Sequence, residues 1–201
     1  MRTIFLTIVA FLLSCTTAIA VTFNFSGPNI VAPSHTFTNG SLSVETTAGT
    51  FSPAGMITPG GLVGRYAGGL GATTHPGDSH QVDGANRNDI ILFDFNQTVT
   101  LDSVTFSLVD SNDEFSFFFD TEPDGVLNPI SYNVDIPGSG VGTYNFVSTW
   151  TAGMFGIGAW DSSDNFKIKS LSVSVVPLPA TLPLYAAGLA LLAFFARRRK
   201  R

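Results

Sequence analysis

The sequence predicts an all-β protein, with a single β-sandwich or jelly-roll-like domain between an N-terminal signal peptide and a C-terminal transmembrane helix. Three observations lead to this fold class. Between the two ends, the polar residues are mostly Ser, Thr, Asn and Asp, while the helix-favouring Lys, Glu, Gln and Arg are scarce. Phe, which favours strands, occurs 18 times. Short apolar runs also alternate with turn residues such as Gly, Asn and Asp, as expected of a sandwich.

Hydrophobic patterning places about eight to ten strands in the body of the chain. Residues 90–95 are almost continuously apolar, which is typical of a central strand buried on both faces. In residues 166–175 the apolar parity switches, which predicts a bulge near Ser170. The other predicted strands are 21–25, 41–47, 104–108, 115–119, 131–136, 143–147 and 154–160.

Two of these regions carry more detailed predictions. Residues 104–108 alternate, so Val104, Phe106 and Leu108 are expected to share one face of their strand. The Gly-rich residues 55–71 are predicted to be the one long irregular segment. They are expected to form a surface loop and not a phosphate cradle, because no Gly-Lys-Ser/Thr follows.

The first 20 residues have the pattern of a secretory signal peptide. Arg2 is the basic start, residues 4–13 are the apolar region, and Ala18 and Ala20 form an Ala-x-Ala cleavage site. We therefore expect cleavage after Ala20 and export of the chain. As an alternative, the residues before Cys15 resemble a lipobox, which would make Cys15 a lipidated N-terminus.

The chain ends in an apolar stretch, residues 182–196, followed by five consecutive cations. A membrane-spanning helix needs about 20 apolar residues, and this stretch supplies 15. Cations beside a membrane segment stay on the cytoplasmic side. This predicts an N-out, C-in orientation, with the body outside the membrane. The basic residues are Arg197, Arg198, Arg199, Lys200 and Arg201.

A Pro-rich motif precedes this segment, and its residues are Val176, Pro177, Leu178, Pro179 and Ala180. Motif, apolar segment and basic end together resemble the PEP-CTERM sorting signal of Gram-negative bacteria, in the V-P-L-P-A variant common in alphaproteobacteria. The resemblance implies that an exosortase, a membrane protease-transferase, acts near the motif and removes the helix. The protein would then reach the cell surface or the extracellular space. The alternative is a single-pass, membrane-anchored periplasmic protein that keeps its tail.

The chain is thereby divided into a signal peptide (1–20), an extracytoplasmic β-sandwich domain (21–176) and a sorting signal (177–201). Although the whole chain has a net charge of −5, six of its ten basic residues lie in the two ends. The predicted domain keeps four basic residues against all 15 acidic ones, a net charge of −11. Nucleic acid is excluded as a partner, because phosphate recognition needs a basic face. The only cysteine lies in the signal peptide, so the domain can form no disulfide.

Three acidic loops are candidates for a calcium site, since calcium prefers carboxylate and carbonyl oxygens. Residues 120–125 resemble the first half of a calcium loop, but Ser131 stands where an EF-hand has its final Glu. Residues 83–89 form a second oxygen-rich loop, in which Arg87 could instead neutralise its neighbours, and residues 110–114 form a third. The candidate ligands are Asp83, Asp89, Asp110, Asp113, Asp120, Glu122 and Asp124. The alternative is that all three are solvated turns.

Two further patterns have both a functional and a structural interpretation. His75, Asp78 and His80 lie in one loop and could hold zinc, although the sequence indicates no fourth ligand. Residues 110–115 resemble residues 161–166. This similarity either predicts two hairpins of similar build or reflects only the turn chemistry of Asp, Ser and Asn.

Two functional hypotheses follow. Neither a Gly-x-Ser-x-Gly nor a His-Glu-x-x-His motif occurs in the sequence. This favours a non-enzymatic binding or structural protein of the cell surface or extracellular matrix, associated with extracellular polysaccharide. The alternative is a secreted polysaccharide hydrolase, which would need two carboxylates facing across a cleft. Tyr132, Tyr144, Trp150 and Trp160 either stack on sugar rings or belong to the core.

Overall fold

The computed structural model describes residues 20–120 and 127–176, which form thirteen β-strands and no α-helix. All thirteen strands belong to one hydrogen-bonded sheet, and residues 19–176 form one compact unit. The strands are β1 (Ala20–Asn24), β2 (Ile30–Ala32), β3 (Ser34–Asn39), β4 (Leu42–Phe51), β5 (Ile57–Pro59), β6 (Leu62–Tyr66), β7 (Gly69–Thr73), β8 (Val82–Asp83), β9 (Asn88–Val109), β10 (Glu114–Asp120), β11 (Leu127–Asp135), β12 (Gly140–Gly158) and β13 (Asn165–Val175).

Two long strands, β9 and β12, pair with each other along most of their length, and β9 pairs with different neighbouring strands in its first and second parts. Residues 88–95 of β9 lie between β4 and the end of β12. Residues 99–109 of β9 lie between the beginning of β12 and β13. Side chains from both parts of β9 belong to the same buried cluster, so the sheet folds over one shared core. The predicted all-β, sandwich-like architecture is confirmed for the described residues.

The core is rich in phenylalanine. Phe106, for example, packs edge-on against Phe166, with ring centroids 5.0 Å apart and ring planes at 77°. Burying one such side chain contributes about 1.5–3 kcal/mol. The Phe residues among the largest fully buried side chains are Phe25, Phe93, Phe106, Phe115, Phe118, Phe155 and Phe166. The abundance of Phe in the sequence therefore reflects core packing.

A second, smaller cluster lies on the opposite face of the first part of β9. Ile90 belongs to this cluster together with Phe51, Phe118 and Leu127. Ile91 and Phe93 instead belong to the main core. Apolar side chains on both faces confirm the prediction that residues 90–95 form a central, doubly buried strand.

The two local predictions, for residues 166–175 and 104–108, had different outcomes. The bulge near Ser170 is confirmed, since the pairing of β13 with β9 shifts register between Ile168 and Ser170. The prediction for Leu108 is wrong: Val104 and Phe106 are fully buried, but Leu108 is 51% exposed. Leu108 has a φ of 62°, and this left-handed conformation interrupts the alternation of side chains.

The prediction that residues 55–71 form an irregular loop is also wrong. This stretch contains β5, β6 and the beginning of β7, and Val63 and Leu70 are fully buried. Gly71 explains why the pattern was missed, since a Cβ atom there would lie 2.0 Å from the His80 carbonyl oxygen. Where backbones approach this closely, Gly replaces the apolar side chain that would mark a strand.

The two ends of the domain lie side by side. β1 pairs antiparallel with β13, and Ala20 is opposite Ser174. Val176 follows directly and is 39% exposed. Residues 1–19, including Ala18, and residues 177–201, with the rest of the Pro motif and the basic cluster, lie outside the described residues. In the ranges that are described, no helix has the length and apolarity needed to cross a bilayer.

Candidate metal centre

Three buried carboxylates meet near the start of β9. Asp78 lies between β7 and β8, Asp83 ends β8, and Asp89 is the second residue of β9. One oxygen from each carboxylate lies within 4.8 Å of the other two. The three residues are only 8%, 5% and 1% exposed, respectively. We call Asp78, Asp83 and Asp89 the carboxylate cluster.

Hydrogen bonds from the surrounding loop orient these carboxylates. Thr74 donates its hydroxyl to Asp89 Oδ1 and its backbone N–H to Asp78 Oδ2, both at 2.7 Å. Asp83 accepts the Ser79 hydroxyl and the Ala85 N–H. Asp78 Oδ1 and Asp89 Oδ2 are buried, and no hydrogen bond from the described part of the chain reaches either atom. Because a buried polar atom without a partner costs about 1–3 kcal/mol, these two oxygens are the atoms of the cluster that a proton or a cation would stabilise most.

The electrostatics of the cluster also favour a cation. The pKa of Asp89 is raised to about 7, chiefly by burial and also by the carboxylates of Asp78 and Asp83, against hydrogen bonds from the Thr74 hydroxyl and the Asp83 backbone. The one ion pair found at the cluster among the described residues joins His75 Nε2 to Asp78 Oδ2 at 4.0 Å, and it requires a protonated imidazole. Arg87 donates to the Thr74 carbonyl oxygen at 3.4 Å. A protonated Asp89 or a bound cation would relieve the repulsion.

The donor atoms favour a hard cation. Calcium takes six to eight oxygen ligands in flexible geometry, whereas structural zinc sites use mainly Cys and His. The metal-capable group contains no imidazole. His80 Nδ1 hydrogen-bonds to the Thr73 hydroxyl at 2.9 Å, and its ring stacks on Tyr66 with centroids 6.0 Å apart. The predicted zinc group of Asp78 with two histidines is therefore not formed among these residues. Asp78 lies instead beside Asp83 and Asp89, which the sequence assigned to a calcium loop.

Asp110 and Asp113, the third predicted calcium loop, take part in a different arrangement. Asp113 is buried, and its two oxygens accept the N–H groups of Asp110 (2.7 Å) and Asn165 (2.8 Å). The structure thus gives Asp113 a role in holding two backbone segments together.

The similar segment 161–166 makes the matching contacts. Asp164 accepts the N–H groups of Asp161 (2.9 Å) and Glu114 (3.1 Å). Asp113 therefore closes the turn 110–113 and also accepts the first N–H group of β13. Asp164 closes the turn 161–164 and accepts the first N–H group of β10. Burial raises the pKa of Asp164 to about 6, although these two amides oppose the shift. The sequence similarity between the two segments has a structural basis.

The remaining calcium candidates are Asp120, Glu122 and Asp124. Asp120 ends β10, while Glu122 and Asp124 lie outside the described residues, so this loop stays a prediction. Sequence reasoning also failed to group Asp78 with Asp83 and Asp89. The spacing of these three residues matches no common calcium loop, and they converge because β8, paired with β13, also contacts both β7 and β9.

No protein-family model matches the chain, and neither does any curated protein sequence. Among solved structures, the chain is similar to a family 32 carbohydrate-binding module from Clostridium perfringens NanJ in complex with galactose. The match has 10% identity and a TM-score of 0.34, and covers 65% of this chain and 92% of that one. A second similar structure contains the CBM32-1 and CBM32-2 domains of Clostridium perfringens ZmpB. That match has 14% identity and a TM-score of 0.37, and covers 81% and 43% of the two chains.

Proposed function

We propose that this protein is an exported, calcium-stabilised β-domain of the cell surface or extracellular matrix, without catalytic activity of its own, that associates with extracellular polysaccharide. The observation that carries the calcium assignment is the pair of buried, unpartnered oxygens, Asp78 Oδ1 and Asp89 Oδ2, beside Asp83. All three carboxylates would hold the ion. The cluster ties the connection between β7 and β9 to the sheet, so the ion would stabilise the fold.

The expected stabilisation follows from mass action. Extracellular calcium modules bind with dissociation constants of about 10⁻⁴–10⁻³ M. At about 1 mM, which is roughly 1–10 times such a dissociation constant, a ligand that binds only the folded state adds about 0.4–1.4 kcal/mol. Calcium would thus make an appreciable contribution to a domain that has no disulfide.

The test is thermal unfolding in millimolar calcium, in magnesium and in chelator. We expect calcium to raise the melting temperature by several degrees and magnesium to raise it less, since magnesium demands a stricter octahedral geometry. Asp83→Asn should remove most of the calcium effect. Asp94→Asn removes one charge from an exposed position in β9 and should keep the effect in full. Equal melting temperatures in calcium and chelator would contradict the calcium assignment.

We also propose that the protein is sorted through its tail. The chain would be inserted N-out, C-in, held transiently by the helix, and processed near Pro177–Ala180 by an exosortase-like enzyme. The order of Pro motif, apolar segment and basic end supports this proposal. The exposure of Val176 also supports it, since an enzyme could reach this residue on the folded domain.

Intact mass of the exported protein tests the sorting proposal. The expected product ends near residues 177–180. A mass that still includes residues 181–201 would make the tail a permanent anchor. The same spectrum tests cleavage after Ala20, which predicts a product that begins at Val21. A product that begins at a lipidated Cys15 would instead support the lipoprotein alternative.

A further inference from the structure

Two aromatic rings are exposed together next to the carboxylate cluster. Tyr132 of β11 and Trp160, two residues after β12, have ring centroids 5.0 Å apart at an interplanar angle of 54°. Tyr132 is 37% exposed and Trp160 is partly exposed. Buried Phe51 supports both rings, with centroids 5.8 Å from Trp160 and 6.4 Å from Tyr132. Rings fixed in this way offer apolar area with little loss of conformational entropy on binding.

Hydrogen-bonding groups border the two rings. Asn133 and Asp161 are exposed, and Asn133 Nδ2 donates to Asp161 Oδ2 at 3.3 Å. Asn133 has a φ of 52°, a left-handed conformation that Asn adopts more readily than most residues other than Gly. We call Tyr132, Asn133, Trp160 and Asp161 the aromatic face.

This combination of groups fits a sugar ring. A pyranose presents an apolar C–H face that packs on an aromatic ring, and hydroxyls at its edge that bond to amide and carboxylate oxygens. The charge of the region selects among sugars. The carboxylates of Asp161, Asp135 and its cross-strand partner Glu114 lie close enough to repel one another, and no cation forms an ion pair with them within the described residues. Anionic polysaccharides would be repelled.

We infer that the aromatic face binds the sugar units of an uncharged polysaccharide, with Trp160 and Tyr132 packing against the rings and Asn133 and Asp161 bonding to hydroxyls. This inference rests on the proposed association with polysaccharide and assigns that association to one surface. The competing surface is the second aromatic group, in which Tyr144 and Trp150 line a cavity of about 150 Å³ with Phe115 and Phe117.

The two tryptophans of the chain allow a direct test. Trp150→Phe leaves Trp160 as the only tryptophan, and Trp160→Phe leaves Trp150. The purified protein is titrated with uncharged oligosaccharides (glucan and galactan hexamers) and with a polyuronate hexamer. We expect at least one uncharged hexamer to change the emission of the Trp150→Phe variant at a concentration where the Trp160→Phe variant is unchanged. The polyuronate should change neither.

Affinity measurements separate the site from the function. Trp160→Ala should weaken binding at least about fivefold, as expected for loss of one aromatic contact and its buried area. Asp161→Ala should also weaken binding, and it removes no core contact, so misfolding cannot account for the loss. Tyr144→Ala is the matched control and should bind like the wild type.

Each outcome distinguishes the two claims. If the wild-type protein binds none of the uncharged hexamers, the proposed association with polysaccharide is wrong, and so is the proposed binding site. If the wild-type protein binds but Trp160→Ala and Asp161→Ala bind equally well, the association stands and the aromatic face is wrong. Loss of binding in Tyr144→Ala alone would place the ligand on the second aromatic group.

Discussion

Replacing Asp89 with Asn should stabilise the metal-free protein while abolishing its response to calcium. Asp89 has a pKa of about 7 in the folded protein, against an ordinary value of 3.8. The folded state therefore binds this proton more tightly than the unfolded state does. Below pH 4 the carboxyl is protonated in both states and contributes nothing. As the pH rises from 4 to 7, the unfolded state ionises first, and the metal-free fold loses stability.

The magnitude follows from the size of this shift. Each pKa unit corresponds to about 1.4 kcal/mol, so the difference amounts to about 4 kcal/mol once the pH exceeds 7. Asn has nearly the same shape as Asp and carries no charge, and its carbonyl oxygen can still accept the Thr74 hydroxyl. In chelator at pH 8, Asp89→Asn should therefore be more stable than the wild type by up to about 4 kcal/mol. At pH 4 the two proteins should be nearly equal.

Urea unfolding in chelator and in millimolar calcium, at pH 4, 6 and 8, measures both effects. At pH 8 millimolar calcium should stabilise the wild type by about 0.4–1.4 kcal/mol and Asp89→Asn hardly at all. Asp94→Asn should respond to calcium like the wild type. The reasoning is refuted if Asp89→Asn is less stable than the wild type in chelator at pH 8, or if it keeps the full calcium response.

Three further substitutions test other parts of the structure by urea unfolding. Asp164→Ala should lower the free energy of unfolding by about 2–4 kcal/mol, because two backbone N–H groups lose a charged acceptor. The double variant with Asp113→Ala should lose less than the sum of the two single changes. Full additivity would show that the two turns are independent. Gly84→Ala should lower the free energy of unfolding by about 1–3 kcal/mol, since its Cβ would lie 2.2 Å from the Asp161 carbonyl oxygen. Gly153→Ala, at a position with open space around the new Cβ, should lower it much less. Equal losses in the two variants would contradict the close packing at Gly84. Leu108→Gly should be neutral or stabilising by up to about 1 kcal/mol, because Gly adopts the φ of 62° without strain; a clear destabilisation would contradict this.

The sequence predicted strands well where apolar side chains alternate and poorly where glycine replaces them. The strand containing residues 90–95 was evident because each face carries large side chains. β6 and β7 were missed because Gly64 follows Val63 and Gly71 follows Leu70, at positions where the chain packs too tightly for a side chain. Two pairs of predicted strands also proved to be single strands, β9 and β12, because a bend inside a strand resembles a turn in the sequence.

Two of the three carboxylates of the candidate metal centre could be predicted from the sequence. Asp83 and Asp89 share one polar loop, and that composition alone suggested calcium. Asp78 was assigned to a different chemistry because His75 and His80 are its neighbours along the chain. Which carboxylates converge depends on the pairing of β8 with β13, and no local pattern encodes that pairing.

The pairing of β1 with β13 sets an order for the two proposed cleavages. Ala20 is hydrogen-bonded in β1 opposite Ser174, and a protease needs its target strand free of the sheet. Cleavage after Ala20 would thus precede completion of the fold. Val176 lies beyond the last residue of β13, so processing of the Pro motif does not require the sheet to open. The first cut would act on a nascent chain, and the second could act on a finished domain.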